Sequence, residues 1–249
     1  MRLALIAVSE EGVEIAKRIK GGLVNDNVCI INNEKPLRDI VAKVFNKYDG
    51  LIFVMAMGIV VRVIAPYIKD KLSDPAVVAV DDAGRYVISV LSGHEGGANT
   101  LAHRVANILR TDAVITTGTE ARKNLIIGIG CGRNTSSARI KQAIETAINN
   151  ANIPFEQVRL LSTIDLKANE RGLIETSKEL GIPLRIISKQ EIETCVKAYN
   201  DSKFVKGKIG VGGVCEPAAL LAGRKTRLIL QKQNFRGVTI AVAQENLTW

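Results

Sequence analysis

Residues 92–99 combine side chains that can do chemistry with a backbone that can bind an anion. They read Ser92, Gly93, His94, Glu95, Gly96, Gly97, Ala98, Asn99. A histidine can act as a general acid or base near neutral pH, and the adjacent carboxylate can orient it. The glycines let the backbone approach a ligand closely. We therefore expect His94 and Glu95 to be catalytic, although a histidine that only caps the loop would stand in the same sequence context.

The elements on either side of this segment must hold it at the edge of a sheet. The apolar run 86–91 predicts a strand, and the pattern over 100–109 predicts a helix. The first backbone N–H groups of a helix lack partners within it and form a site for anions. We expect the amides of Gly96 and Gly97 to be the donors there, with Asn99 at the position of a helix cap.

Strand and helix patterns alternate through the first half of the chain and begin again in the second half. A polar stretch at 118–124 separates the halves. This order predicts an α/β fold of two α/β domains, residues 1–120 and 121–249, each with a mostly parallel sheet flanked by helices. Asp81 and Asp82 invite an acid/base interpretation, but the tight turn of a hairpin explains them better.

We call a connection from a strand to a helix that contains glycine a glycine joint, and residues 92–99 are the first of these. A second glycine joint follows the apolar strand predicted at 50–57. Gly58 stands at the end of this strand, where open α/β sheets place ligand loops. Arg62 is the one charge in the otherwise apolar turn that follows, so it either faces solvent or reaches a ligand. A glycine that simply turns the chain is an equally good explanation of Gly58.

A third joint begins the second half, where a strand at 125–131 leads into a turn and a helix. Gly130, Arg133 and Thr135 suit a carboxylate ligand, because a guanidinium and backbone N–H groups would converge there. The glycine spacing fits neither a dinucleotide-binding pattern nor a P-loop, which disfavours nucleotide binding. Cys131 could be a nucleophile, but a small buried structural cysteine is the better interpretation.

A fourth joint spans residues 209–221. Glu216 stands near the start of its predicted helix, and Pro217 is expected at the first helical position. The Glu216 carboxylate could line a ligand site or interact with the helix dipole, and the residues alone do not separate these roles.

Composition narrows the choice of partners. The formal net charge of +9 favours an anionic partner, such as nucleic acid, an acidic membrane or a ligand with many carboxylates. Aromatic residues make up only 4% of the chain, which argues against nucleic acid, and no apolar run is long enough to span a bilayer. Two histidines without clustered cysteines predict no protein metal site. We expect reduced cysteines, a cytoplasmic location and, by default, a homodimer.

Several of these segments resemble one family. Residues 91–102 are similar to the hallmark of the cobalamin biosynthesis protein G family, the cobalt-precorrin-5A hydrolases. Residues 55–62, 127–135 and 209–221 resemble other parts of that family. The resemblance covers about 50–117 and 124–243, and longer relatives carry a middle segment that this chain lacks.

The resemblance implies an enzyme that adds water to cobalt-precorrin-5A. The δ-lactone opens, the two-carbon bridge leaves as acetaldehyde, and cobalt-precorrin-5B remains. The partner would be an anionic cobalt-tetrapyrrole, with no nucleic acid and no membrane. No separate cofactor is expected, because the cobalt is carried by the substrate.

We assign roles in this reaction as hypotheses. His94 would act as acid or base with help from Glu95, and Arg62 and Arg133 would bind substrate carboxylates. The other expected substrate-binding residues are Gly58, Ser92, Gly93, Gly96, Gly97, Asn99, Gly130, Thr135 and Glu216. The joints near residues 58, 94, 130 and 215 should then open onto one cleft. The alternative function is that of a non-catalytic tetrapyrrole-binding protein of the same pathway.

Overall fold

The computed structural model describes residues 1–31, 36–196 and 214–246. The chain divides into two compact units, Met1–Gly118 and Thr119–Trp249. The boundary expected from the sequence lies two residues further along. A single helical turn, α5 (Gly118–Ala121), stands at this point of the chain.

Unit 1 is a sheet with helices on both faces. Its elements are β1 (Arg2–Ala7), α1 (Glu10–Gly22), β2 (Asn27–Ile31), α2 (Leu37–Val44), β3 (Gly50–Val54), α3 (Met57–Ile64), β4 (Ala76–Val80), β5 (Tyr86–Leu91), α4 (Ala98–Leu109) and β6 (Asp112–Val114). The strand order is β2-β1-β3-β4-β5-β6. The β4–β5 pair is antiparallel, as expected for a hairpin, and the other four pairs in this described sheet are parallel.

Alternation along the strands builds two cores in unit 1. Leu3 and Leu5 of β1 point to the face covered by α1 and α4, whereas Ala4 and Ile6 point to the face covered by α2 and α3. Because both faces are covered, β3 and β4 are buried along their whole length.

Unit 2 has the same layers but a different sheet. Its elements are β7 (Leu125–Cys131), α6 (Ser137–Asn150), β8 (Val158–Ile164), α7 (Arg171–Leu180), β9 (Leu184–Ile187), α8 (Lys189–Val196), α9 (Cys215–Leu221), β10 (Thr226–Phe235) and β11 (Val238–Glu245). The strand order is β10-β11-β7-β8-β9. The α/β class is confirmed in both units, but this sheet has as many antiparallel pairs as parallel ones.

Side chains at the starts of two helices satisfy backbone amides that lack partners within the helix. Ser9 caps α1 by accepting a hydrogen bond from the Gly12 amide. Ser188 and Glu191 form a capping box at α8. The Ser188 amide donates to Glu191 Oε2 at 2.7 Å, and the Glu191 amide donates to Ser188 Oγ at 3.1 Å. Pro217 is the third residue of α9 rather than the first.

Some expectations fall outside the described residues. The strand part of the joint at 209–213 is among them, whereas its helix, α9, is described. Within the described part of the chain, every helix is too short or too polar to span a bilayer.

Candidate active site

The loop formed by residues 92–97, here called the His94 loop, joins β5 to α4 and is closed by its own backbone. The amide of Ala98 donates to the Ser92 carbonyl at 3.1 Å, and the amide of Asn99 donates to the Gly93 carbonyl at 2.9 Å. These two helix-start amides are therefore not open to a ligand, contrary to the expectation from sequence. The amides of Gly96 and Gly97 make no hydrogen bond to other described residues, so they remain candidates for oxyanion donors.

Two residues of the His94 loop have left-handed backbone conformations. Gly97 caps α4 at φ 84°, and Ser92 has φ 55°. A serine rarely adopts this conformation, and the Ser92 hydroxyl is buried without a hydrogen-bond partner among the described residues. Strain and an unsatisfied polar atom both cost free energy and are often found at functional sites. They support Ser92 as a site residue.

Asn99 does not cap the helix, because Gly97 occupies that position. Asn99 is instead buried, and its side chain joins two other parts of unit 1. Its Oδ1 accepts from the Ser89 hydroxyl at 2.8 Å, and its Nδ2 donates to the Thr117 hydroxyl at 3.1 Å. Both hydrogen-bonding ends of the amide bond within unit 1, so Asn99 positions the His94 loop.

His94 and Glu95 are both exposed, but they do not form the expected pair. The Glu95 carboxylate accepts a hydrogen bond from Lys71 Nζ at 2.7 Å. This bond is the largest of the effects that lower the pKa of Glu95, and the charge of His94 adds only a smaller one. Glu95 is therefore a stable anion that is unsuited to act as a general acid. The imidazole of His94 makes no hydrogen bond to Glu95 and is accessible to a large substrate.

Gly58 and Arg62 do not lie in a turn, since both belong to α3. Both are exposed on its outer side, while Val60, Val63 and Ile64 pack against the sheet. The sequence interpretation was wrong because a run that is apolar throughout carries no periodic signal of a helix.

The His94 loop and Gly58 lie beyond opposite ends of the central strands in unit 1. Gly58 follows the carboxyl end of β3, where Val54 pairs with Val80. Because β5 runs antiparallel to β4, its last residue, Leu91, pairs with Val77 near the beginning of β4. The expectation that these two joints adjoin at one cleft edge is therefore wrong. However, α3 leads back across the sheet towards β4, so its second half runs towards the edge that carries the loop.

In unit 2, hydrogen bonds to other residues of the unit occupy polar groups of the joint at 128–135. Thr135 Oγ1 donates to the Gly132 carbonyl at 2.9 Å, and the Asn134 amide donates to Glu170 Oε1 at 2.9 Å. Arg133 is exposed. Burial raises the pKa of the Cys131 thiol, which favours the structural interpretation of this cysteine.

Gly130 and Glu216 serve the packing of unit 2. A Cβ at Gly130 would stand 2.5 Å from Thr239 Oγ1, so the glycine allows close approach of β11. Glu216 is buried, and its Oε1 accepts from the Lys232 amide at 2.8 Å, where the pairing of β10 with β11 shifts register. Glu216 also lies in the first turn of α9, which fits the helix-dipole interpretation. The bond to the Lys232 amide is an additional role that the sequence did not suggest.

Sequence reasoning missed the cations beside these joints. No local pattern links Lys71 to Glu95, which lies 24 residues away in the chain. Lys167 pairs with Glu170 at 3.1 Å in unit 2. The carboxyl ends of neighbouring parallel strands lie side by side, and β7 and β8 are such a pair. This rule could have predicted that Lys167 lies near Arg133. Among the described residues, no group of three or more His, Cys, Asp or Glu side chains could hold a metal ion.

Comparisons with known families match both units. Residues 39–120 match the family model described as Cobalamin synthesis G N-terminal, and residues 125–243 match Cobalamin synthesis G C-terminus. The two matches almost adjoin, at residues 120 and 125.

Individual relatives have related names. A protein of Priestia megaterium named cobalt-precorrin-5A hydrolase is 28% identical, and the alignment covers 96% of this chain and 94% of that protein. It extends over 354 positions, although this chain has 249 residues, so the relative has residues that this chain lacks. Protein CobE of a Sinorhizobium species is 30% identical over 50% of this chain and 82% of its own.

One solved structure is that of cobalamin biosynthesis protein chiG from Agrobacterium tumefaciens. It is 31% identical to this chain, covering 49% of this chain and 98% of that one, with a TM-score of 0.41. Together, the two adjoining family matches and the CobE similarity assign the chain to a family. The chain belongs to the cobalamin synthesis G family.

Proposed function

We propose that this chain is a cobalt-precorrin-5A hydrolase of anaerobic cobalamin biosynthesis. It would open the δ-lactone of cobalt-precorrin-5A with water and release acetaldehyde to give cobalt-precorrin-5B. The observation that carries this proposal is the match of both family models, together with relatives of that name aligned over nearly their whole length. The enzyme would work in the cytoplasm.

The reaction divides into two steps with ordinary requirements. Water attacks the lactone carbonyl, and the ring C–O bond breaks to leave a carboxylate and a hydroxyl. Removal of the hydroxyl proton then lets the carbon–carbon bond to the macrocycle break, and its electron pair stays on the macrocycle, which takes up a proton. Both steps need a group that moves protons, and the first also needs donors for an oxyanion.

The His94 loop offers these groups in one place. The exposed His94 would take the proton from the attacking water and return one later. The amides of Gly96 and Gly97, which bond to none of the residues that the structure describes, would donate to the oxyanion. Glu95 would act through Lys71, which it binds at 2.7 Å, rather than through the imidazole.

The substrate is an anionic cobalt-tetrapyrrole. The excess of basic residues suits its carboxylates, and the exposed Arg62 of unit 1 is a candidate partner for them. Arg133 of unit 2 is exposed as well and is a separate candidate. The cobalt is part of the substrate, so the reaction as proposed requires no separate cofactor. A homodimer remains a prediction.

The test compares the two histidines of the chain. Purified protein is given cobalt-precorrin-5A, and acetaldehyde is measured by its reduction with alcohol dehydrogenase and NADH. We expect His94→Gln to lower kcat about a hundredfold or more with little change in binding, and His103→Gln to leave kcat within about twofold. Full turnover by His94→Gln would remove His94 from the mechanism.

A tetrapyrrole-binding protein without catalysis is the second candidate. It is favoured by the residues that this chain lacks relative to the Priestia protein. Binding of cobalt-precorrin-5A without release of acetaldehyde by the wild-type protein would support this candidate over the hydrolase.

A further inference from the structure

The outer surface of residues 57–72 is more apolar than a solvent-facing surface should be. Met57, Ile59 and Val61 on α3 are 39–44% exposed, and Leu72 beyond it is 76% exposed. Arg62 is the only polar side chain in the helix. A surface helix normally turns polar residues outwards, and clustered exposed apolar side chains mark a binding site. We call this outer surface of residues 57–72 the docking surface.

Gly58 has no structural reason to be a glycine. A Cβ built at this position meets no atom of the described residues within 4 Å, and Gly58 lies within α3. Alanine would favour the helix more strongly than glycine does. Because Gly58 has no side chain, it leaves a depression in the helix surface beside Met57 and one turn before Arg62. A flat ligand that lies on the helix would need such a depression.

Positive charge borders this apolar surface. Arg62 is exposed, and Lys69 and Lys71 follow it in the chain. The one carboxylate between them, on Asp70, is already engaged by the Leu72 amide at 2.8 Å and the Ser73 hydroxyl at 2.5 Å. A ligand with apolar faces and carboxylate arms would complement both features.

Lys71 connects the docking surface to the proposed reaction site. Its Nζ lies 2.7 Å from Glu95, the residue next to His94. A ligand that lies along α3 and contacts Lys71 would therefore place one end near the His94 loop.

We propose that the docking surface binds the face of the cobalt-tetrapyrrole macrocycle, with Arg62 and Lys71 receiving its carboxylates and the lactone end directed to His94. This proposal rests on the proposed function. A second copy of the chain would bring like charges together across a two-fold interface, which is unfavourable. Binding to a lipid bilayer would not explain why Lys71 lies beside the His94 loop.

The test uses a matched pair of substitutions in unit 1. Val61→Glu places a negative charge on the docking surface, and Val24→Glu places the same charge at a site that is 79% exposed elsewhere. The probe is the cobalt complex of uroporphyrin, a tetrapyrrole with many carboxylate arms, and its Kd is measured by absorbance titration. We expect Val61→Glu to raise Kd about tenfold or more, and Val24→Glu to change it less than about twofold.

Gly58→Ala separates binding from folding. We expect it to keep or slightly raise the thermal midpoint, because alanine favours the helix, and yet to raise Kd several-fold. An unchanged Kd in this variant would overturn the proposal even if Val61→Glu failed to fold.

Other occupants would give different results, each of which overturns the proposal. Light scattering would show a wild-type dimer that Val61→Glu dissociates while probe binding is unchanged. Alternatively, the wild type but not Val61→Glu would bind vesicles of phosphatidylglycerol and phosphatidylcholine, again with unchanged probe binding. Acetaldehyde assays run in parallel keep the two proposals apart. Normal turnover and normal Kd in both docking variants would sink only the docking surface, whereas weakened Kd without wild-type turnover would sink only the hydrolase.

Discussion

The His94 loop in unit 1 and the joint at 128–135 in unit 2 have the same strand–glycine–helix pattern but use their glycines differently. In unit 2, the missing side chain of Gly128 lets the backbone of α9 pack against β7, since a Cβ would lie 1.8 Å from the Cys215 carbonyl oxygen. In unit 1, the glycines shape the loop itself. A Cβ at Gly96 would lie 2.4 Å from that of Ser92, and Gly97 has φ 84°.

The polar groups of the two joints differ in the same way. Thr135 and Glu170 are occupied in closing the unit 2 joint, by bonds to the Gly132 carbonyl and the Asn134 amide. The His94 loop keeps an exposed imidazole, and the amides of Gly96 and Gly97 make no hydrogen bond within the described part of the chain. A glycine-rich turn therefore does not predict a ligand site by itself. The better criterion is whether its polar groups remain available after the loop has folded.

Gly128→Ala should give the largest effect and sharpen this contrast. The new Cβ would overlap backbone of α9, which cannot rotate away, so we expect a loss of about 3 kcal/mol or more in the free energy of unfolding. Urea denaturation followed by circular dichroism measures it. The control is Gly132→Ala in the same joint. Among the described residues, the new Cβ would meet only Thr135 Oγ1, at an ordinary 3.6 Å. Equal, small losses in both variants would mean that Gly128 is not a packing residue.

Asn99→Ala should have an intermediate effect. It removes hydrogen bonds to Ser89 and Thr117 from a buried site, so we expect a loss of about 2 kcal/mol in the free energy of unfolding. Because Asn99 also holds the His94 loop, kcat for acetaldehyde release should fall more than KM changes. Exposed Asn149→Ala in α6 serves as the control and should change stability by less than about 0.5 kcal/mol. Loss of stability with wild-type kcat would show that Asn99 does not position the loop.

Glu95→Gln should have the smallest effect on stability. The pair with Lys71 is exposed, so we expect no measurable change in the thermal midpoint at pH 7. The pKa of Glu95 is lowered chiefly by the bond from Lys71. That bond therefore contributes fully above the ordinary glutamate pKa of about 4.3 and is lost as the pH falls through the lowered pKa. Thermal scans from pH 7 to 3 should therefore give indistinguishable midpoints for the two proteins throughout. A difference that grew with acidity would contradict this assignment.

Much of the fold could be predicted because local signals are physically strong. Ser9 and the pair of Ser188 and Glu191 have the side chains that satisfy the open amides of a helix start, and each does so. The helix at α3 was missed since all of its residues but Gly58 and Arg62 are large and apolar. Such a run is compatible with a strand, a turn or a helix until it is known which side is covered.

The sequence by itself determined which side chains stand in the His94 loop, and that a strand precedes it and a helix follows. Only the tertiary structure decided where the loop lies and which partners it has. The antiparallel pairing of β5 with β4 puts the loop at the edge opposite Gly58, and it brings Lys71 to Glu95. Glu216 likewise finds its partner, the Lys232 amide, only because β10 shifts register against β11. Strand direction and register depend on contacts between residues far apart in the chain, and no local pattern of side chains specifies them.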